Sequence, residues 1–142
     1  MKTLPVNPEN SSVQLHPLID QLTKAYLPQA VKQSSFIIND VKPGFSLTSH
    51  EQTLAHVLGN LFGQVVKVTT NGCIRVYAED QGKFVQIGFK DIMMAHQEPF
   101  LLQNLQGLFE ALKKLGGNIS IDDHVPNGAV ICVTIPCDKQ AA

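Results

Sequence analysis

The stretch HEQTLAHVLGNLFGQVVKVT, His50 to Thr69, decides how the rest of the chain is read. Leu54, Val57, Leu58, Leu61, Phe62 and Val65 recur at helical spacing. That spacing lays them on one face of an α-helix, which must be buried against something flat and apolar. Thr48 or Ser49, just upstream, is expected to cap the helix. Asn60, Gln64 and Lys67 follow an i, i+4, i+7 spacing and form a polar stripe away from the apolar face.

Downstream, Asn71-Gly72 breaks the helix. CIRVYAED and KFVQIGFKDI then flank Gln81-Gly82 and read as a β-hairpin. Pro99 suits the first turn of another helix, in which Leu101, Leu105, Leu108, Leu112 and Leu115 form an apolar stripe. Lys113 and Lys114 favour its negative end, and Gly116-Gly117 stops it. NISIDDH and AVICVTIP are two closing strands joined by a turn containing Pro126, Asn127 and Gly128. Upstream, Leu15, Leu18, Ile19, Leu22 and Tyr26 mark a helix that Pro28 is expected to kink or end. SFIINDV is a strand candidate, followed by a turn at Lys42 to Gly44.

The order is helix, strand, helix, strand, strand, helix, strand, strand. Strands that come in adjacent pairs are expected to be antiparallel. Three helices with one apolar face each suit one covered sheet face. The fold class is therefore α+β, a two-layer sandwich with a mixed, mostly antiparallel sheet covered on one face by three helices. The expected organisation is a flexible segment 1–12, one domain 13–137 and a tail 138–142, since the first dozen residues are rich in Pro, Asn and Ser.

Composition narrows the function classes. At 142 residues and 44% hydrophobic content, one folded domain with a substantial core is expected. A net charge of −1 and no basic stripe give no electrostatic reason to bind nucleic acid or an anionic membrane. No run is long and apolar enough to span a bilayer, and the N-terminus is no signal peptide. Cys73, Cys132 and Cys137 form no C-x-x-C pair and read as reduced thiols in a cytoplasmic protein. His16, His50, His56, His96 and His124 are scattered without metal-site spacing, so no metal centre is expected.

These strings together resemble the ATP-binding catalytic domain of sensor histidine kinases, within the gyrase, heat-shock chaperone, histidine kinase and mismatch-repair ATPase superfamily. The resemblance runs from about Val13 to Pro136. It implies the sandwich fold derived above and, for an intact member, Mg-ATP binding and phosphotransfer. Gly116-Gly117-Asn118-Ile119-Ser120-Ile121 fits the family's late Gly-Gly string, and Gly128 to Pro136 its closing strand.

The residues of the nucleotide site fit less well. The resemblance places Asn60 at the first Asn of the helix motif, Lys67 at its basic residue, and Gln64 where the family has the Mg²⁺-holding Asn. The extra methylene of Gln carries its oxygen further out, and Mg²⁺ tolerates little departure from octahedral geometry. Asp91 matches the Asp that reads adenine, but Ile92, Met93, Met94 and Ala95 follow it in place of the family's glycines. Side chains there are expected to narrow or fill the pocket. The second Gly-rich run is replaced by Leu102-Gln103-Asn104-Leu105, and only MMAHQEP stands where the family has its lid. Backbone amides cradle phosphate best where no side chain intervenes.

The resemblance thus implies a degenerate member with no catalytic residues and no cofactor. It would act by binding another signalling protein, a response regulator or a kinase-like partner, in a two-component-type pathway. The alternative is an altered Mg-ATP pocket using Asn60, Gln64, Lys67 and Asp91, with weak or no kinase activity. A third reading, a stand-alone phosphotransfer or anti-sigma-type regulator, needs a dimer interface or target segment that the sequence does not display.

Overall fold

The computed structural model describes residues 10–69, 71–92, 98–122 and 129–136; for residues 10, 68, 91, 92, 98–106, 122 and 129 the description is of the backbone alone. In chain order the elements are β1 (Asn10–Gln14), α1 (Leu15–Lys32), β2 (Phe36–Asn39), β3 (Ser46–His50), α2 (Glu51–Val68), β4 (Cys73–Asp80), β5 (Phe84–Ile92), α3 (Glu98–Leu115), β6 (Asn118–Asp122) and β7 (Ala129–Pro136). Five strands form one sheet in the order β2-β4-β5-β7-β6, and β1 and β3 form a separate two-stranded ribbon. The adjacent pairs β4–β5 and β6–β7 are antiparallel, as is β5–β7, whereas β2–β4 is parallel. A parallel pair needs a long crossover, which β3 and α2 supply.

α2 is amphipathic as its spacing requires. Leu54, Val57, Leu58, Leu61, Phe62 and Val65 are all buried, and Val66 joins them. Burying seven such side chains is worth roughly 10–20 kcal/mol before entropy is charged against it. They pack on the alternate residues Ile74 and Val76 of β4, Val85, Ile87 and Phe89 of β5, and Ile131, Val133 and Ile135 of β7. The ring of Phe62 meets that of Phe89 edge-on at 5.2 Å and stacks on Tyr26 of α1 at 6.1 Å. The helices therefore cover one sheet face, leaving the alternate residues Arg75, Tyr77, Gln86, Lys90, Cys132 and Thr134 on the other.

α3 ends as its glycines dictate. Gly116 takes φ 74°. The Gly116 N–H donates to Lys113 O, and the Gly117 N–H to Leu112 O at 2.9 Å. This is a Schellman ending. A side chain at Gly117 would run into the main chain of Thr134 on β7.

Four expectations are corrected. First, α2 is capped by neither Thr48 nor Ser49 but by His50, whose Nδ1 accepts the Thr53 N–H at 3.1 Å. Thr48 and Ser49 are instead part of β3, which the spacing did not suggest. Second, β1 begins at Asn10, inside the segment 1–12 read as a lead-in. Both short strands exist through their pairing, which sets Val13 opposite Leu47 and buries both. Third, α1 continues past Pro28 to Lys32. Only the bond to Lys24 O is forfeited, and both residues are exposed, so water can take it. Fourth, SFIINDV pairs only over Phe36–Asn39, because the Asp40 N–H makes the last bond, to Val76 O.

Candidate functional site

α2 carries the polar stripe, and its C-terminal end is tied down. Gln33, just past α1, donates from Nε2 to Lys67 O at 3.2 Å and to Thr69 O at 2.8 Å. The Ser35 hydroxyl donates to Thr69 O at 3.1 Å, and both residues are buried. These bonds satisfy carbonyls that a helix end leaves orphaned, and they fix where α2 stops.

On this held helix the three stripe residues differ in surroundings. Asn60 is exposed, and its Nδ2 donates back to His56 O on the same helix at 3.0 Å, beside the His56 ring. Lys67 is exposed and has an interaction of its own. Gln64 is half-buried, and among the described residues its Oε1 is enclosed without a hydrogen-bond partner. An enclosed carbonyl oxygen without a donor costs about 1–3 kcal/mol. The helix brings the three onto one face, where the Asn60 amide nitrogen bonds back one turn while the Gln64 oxygen is enclosed.

Asp91 lies near the end of β5, at a bulge. Phe89 pairs with Ile131 and Ile92 with Ala129, so β5 carries one extra residue across Lys90–Asp91. A bulge there breaks the alternation and re-aims side chains at the strand end. The side chains of Asp91 and Phe100, and all of Met93, Met94, Gly128 and the tail 138–142, lie outside what is described. The described part of the cleft between α2 and α3 is a groove of about 390 Å³ whose polar lining includes His50, His56, Glu110 and Lys114.

For Mg²⁺ and a triphosphate, the described residues offer one enclosed amide oxygen at Gln64, an exposed amide at Asn60 and an ammonium at Lys67. Gln64 Oε1 is a hard oxygen donor of the right kind, but the described stripe brings no carboxylate to share the metal. Among the described residues no three His, Cys, Asp or Glu side chains gather as a metal site.

On the open sheet face one cluster escaped the sequence reading. The Tyr77 ring lies across Gly88 on β5, and its hydroxyl meets Cys132 Sγ on β7 at 3.5 Å. Only glycine leaves room for the ring. Lys90 Nζ sits 5.3 Å from the ring centroid. Burial first, then the Cys132 hydrogen bond and charge and the Glu79 charge, push the phenol above its ordinary value. The hairpin register, which sets Tyr77 opposite Gly88, was the available signal.

This architecture coincides with solved structures. Acinetobacter baumannii histidine kinase AdeS superposes with a TM-score of 0.79 at 12% identity, covering 96% of this chain and 70% of that one. The catalytic domain of histidine kinase ThkA gives 0.68 at 20% identity, covering 91% and 97%. The chain has the fold of a sensor histidine kinase catalytic domain. Full-length ShkA, solved with AMPPNP, superposes with a TM-score of 0.70 at 18% identity, covering 93% of this chain and 32% of that one. No protein-family model and no curated sequence matches the chain. Among the described residues no helix is long and apolar enough to cross a membrane.

Proposed function

We propose that this chain is a signalling module on the histidine kinase catalytic fold that has given up its nucleotide site and acts by binding another protein. The observation that carries this reading is the state of the α2 stripe. Asn60 donates its amide nitrogen to its own helix and Gln64 Oε1 is enclosed, which supports packing rather than a shared ligand as the role of the two amides. The loss of both glycines after Asp91 supports it, since a purine and its phosphates need that backbone bare. A partner of two-component type, a response regulator or a kinase-like protein, is supported by the ThkA complex with response regulator TrrA, which shares the fold at a TM-score of 0.73 and 17% identity over 43% of that chain. A cytoplasmic setting fits Cys73 and Cys132 as free thiols.

One observation favours a second reading. The unpartnered Gln64 oxygen is what a cation or a nucleotide-bound donor would satisfy, with Lys67 one turn on for phosphate. Calorimetric titration with ATP and Mg²⁺, on the native protein and on Asp91→Asn, separates the two. Absence of heat at millimolar nucleotide supports the partner-binding module. Micromolar binding that Asp91→Asn abolishes overturns it.

A further inference from the structure

The turns that follow α1 and α2 meet, and both are left-handed. The described non-glycine residues at positive φ are Ser34, at 57°, and Asn71, at 55°. Residues persist in that region where their surroundings hold them. Here each turn holds the other. The Asn71 N–H donates to Gln33 O at 3.0 Å, the Gly72 N–H to Ser35 Oγ at 3.3 Å, and the Phe36 N–H to Gly72 O at 2.9 Å. The peptide groups before, between and after Asn71 and Gly72 are thus each tied to turn 33–36.

Ser35 stands at the centre of these ties and is 1% exposed. Its hydroxyl proton goes to Thr69 O at 3.1 Å, which leaves a lone pair to accept from Gly72.

What is tied is an asparagine followed by glycine. The glycine nitrogen of such a pair has no neighbouring side chain to hinder its attack on the Asn Cγ. Once that nitrogen loses its proton to base, it bonds to Cγ, Nδ2 leaves as ammonia, and a five-membered succinimide closes. Water then opens the ring. Opening at the side-chain carbonyl gives Asp, and opening at the main-chain carbonyl gives a β-linked aspartate. Asn71 is exposed, so water and base reach it.

We propose that Asn71 is a deamidation site gated by Ser35, blocked while turn 33–36 is seated and reactive when that turn lifts. Ring closure needs the Gly72 nitrogen without its proton and its peptide group free to turn, and the Ser35 bond withholds both. The modification runs one way. The β-linked product carries the main chain through Cβ, one atom longer, and adds a carboxylate. The longer span should break the Phe36 bond to Gly72, beside the first β2–β4 pair, Phe36 with Cys73. A passing release of the edge strand β2 is thereby made permanent. The inference goes beyond the proposed function and holds whether or not α2 binds a nucleotide.

The test incubates the native full chain at mildly alkaline pH and follows residues 68–75, released by trypsin as VTTNGCIR, by mass spectrometry that separates the Asn, Asp and β-linked forms. The other Asn-Gly pair, Asn127-Gly128, falls in a different peptide and is scored apart. In the folded chain Asn71 should convert roughly ten- to a few hundredfold more slowly than in the synthetic peptide of that sequence. Ser35→Ala should speed conversion about two- to tenfold. Gly117→Ala, which disturbs the far side of the sheet and leaves these ties in place, should speed it less. In the β-linked protein the Phe36 amide should lose protection from hydrogen exchange. The peptide comparison and the exchange measurement use the native chain, so they decide the matter even where Ser35→Ala fails to fold. Conversion in the folded chain as fast as in the peptide, no acceleration in folded Ser35→Ala, equal acceleration in Gly117→Ala, or undiminished Phe36 protection in the β-linked protein overturns the proposal.

Discussion

Replacing Gln64 by Met tests the central feature of α2. The side chain of Met matches Gln in length, carries no polar atom and has a nearly equal helix preference. The substitution removes an enclosed oxygen that has no donor. The penalty on such a group is about 1–3 kcal/mol. Since Gln64 is only half-buried, part of its amide remains solvated and the net gain is expected near 1–2 kcal/mol. With a urea slope of about 1–3 kcal/mol per molar, the unfolding midpoint should rise by roughly 0.3–2 M. Gln64→Glu should do the opposite. Its carboxylate would be penalised by burial, so its folded pKa would lie above the unfolded value near 4.3. Stability would then be complete in acid and lost as pH rises through the raised value. The assay is equilibrium urea denaturation, repeated with Mg-ATP. A loss of about 1 kcal/mol or more in Gln64→Met without ligand would refute the reasoning, because it would mean the oxygen has a bond worth keeping.

Three further outcomes are expected. Gly117→Ala should cost about 1–3 kcal/mol in denaturant melts, because the methyl meets the Thr134 main chain rather than a side chain that can swing aside. His50→Ala should cost about 0.5–2 kcal/mol through loss of the α2 cap, while His50→Asn restores most of it. For Tyr77 the folded pKa is raised above the ordinary value of 10.0, so the stability it gives is present below that pH and falls as pH rises from there. Tyr77→Phe should lessen the alkaline fall in stability, read by comparing the two proteins' denaturation between neutral and strongly alkaline pH.

Where turn chemistry and alternation agree, the chain was legible to the residue. β4 and β7 keep the bounds read for them, because Asn71-Gly72 and Gln81-Gly82 allow no other reading of the first and Gly-Gly-Asn anchors the pairing of the second. β1 and β3 were not legible. SLTSH is too short to declare a period, and only Val13 across from Leu47 makes it a strand. The cap went to His50 because β3 holds Thr48 and Ser49 extended until the helix begins. At the candidate site, spacing put Asn60, Gln64 and Lys67 on one stripe. It could not tell that Asn60 would bond back to His56 or that the Gln64 oxygen would be enclosed. Those choices depend on what packs beside α2, not on where the residues fall along it.

The β1–β3 ribbon acts as a clasp. By joining Asn10–Gln14 to Ser46–His50 it closes a loop that holds the whole of α1 and β2. β2 touches the main sheet through one strand only, and α1 is held to α2 by the Tyr26–Phe62 stack and by the Gln33 and Ser35 bonds to Thr69. Opening the N-terminal side therefore requires the clasp and these α1–α2 ties to break together, which makes α1, β2 and the ribbon one linked block.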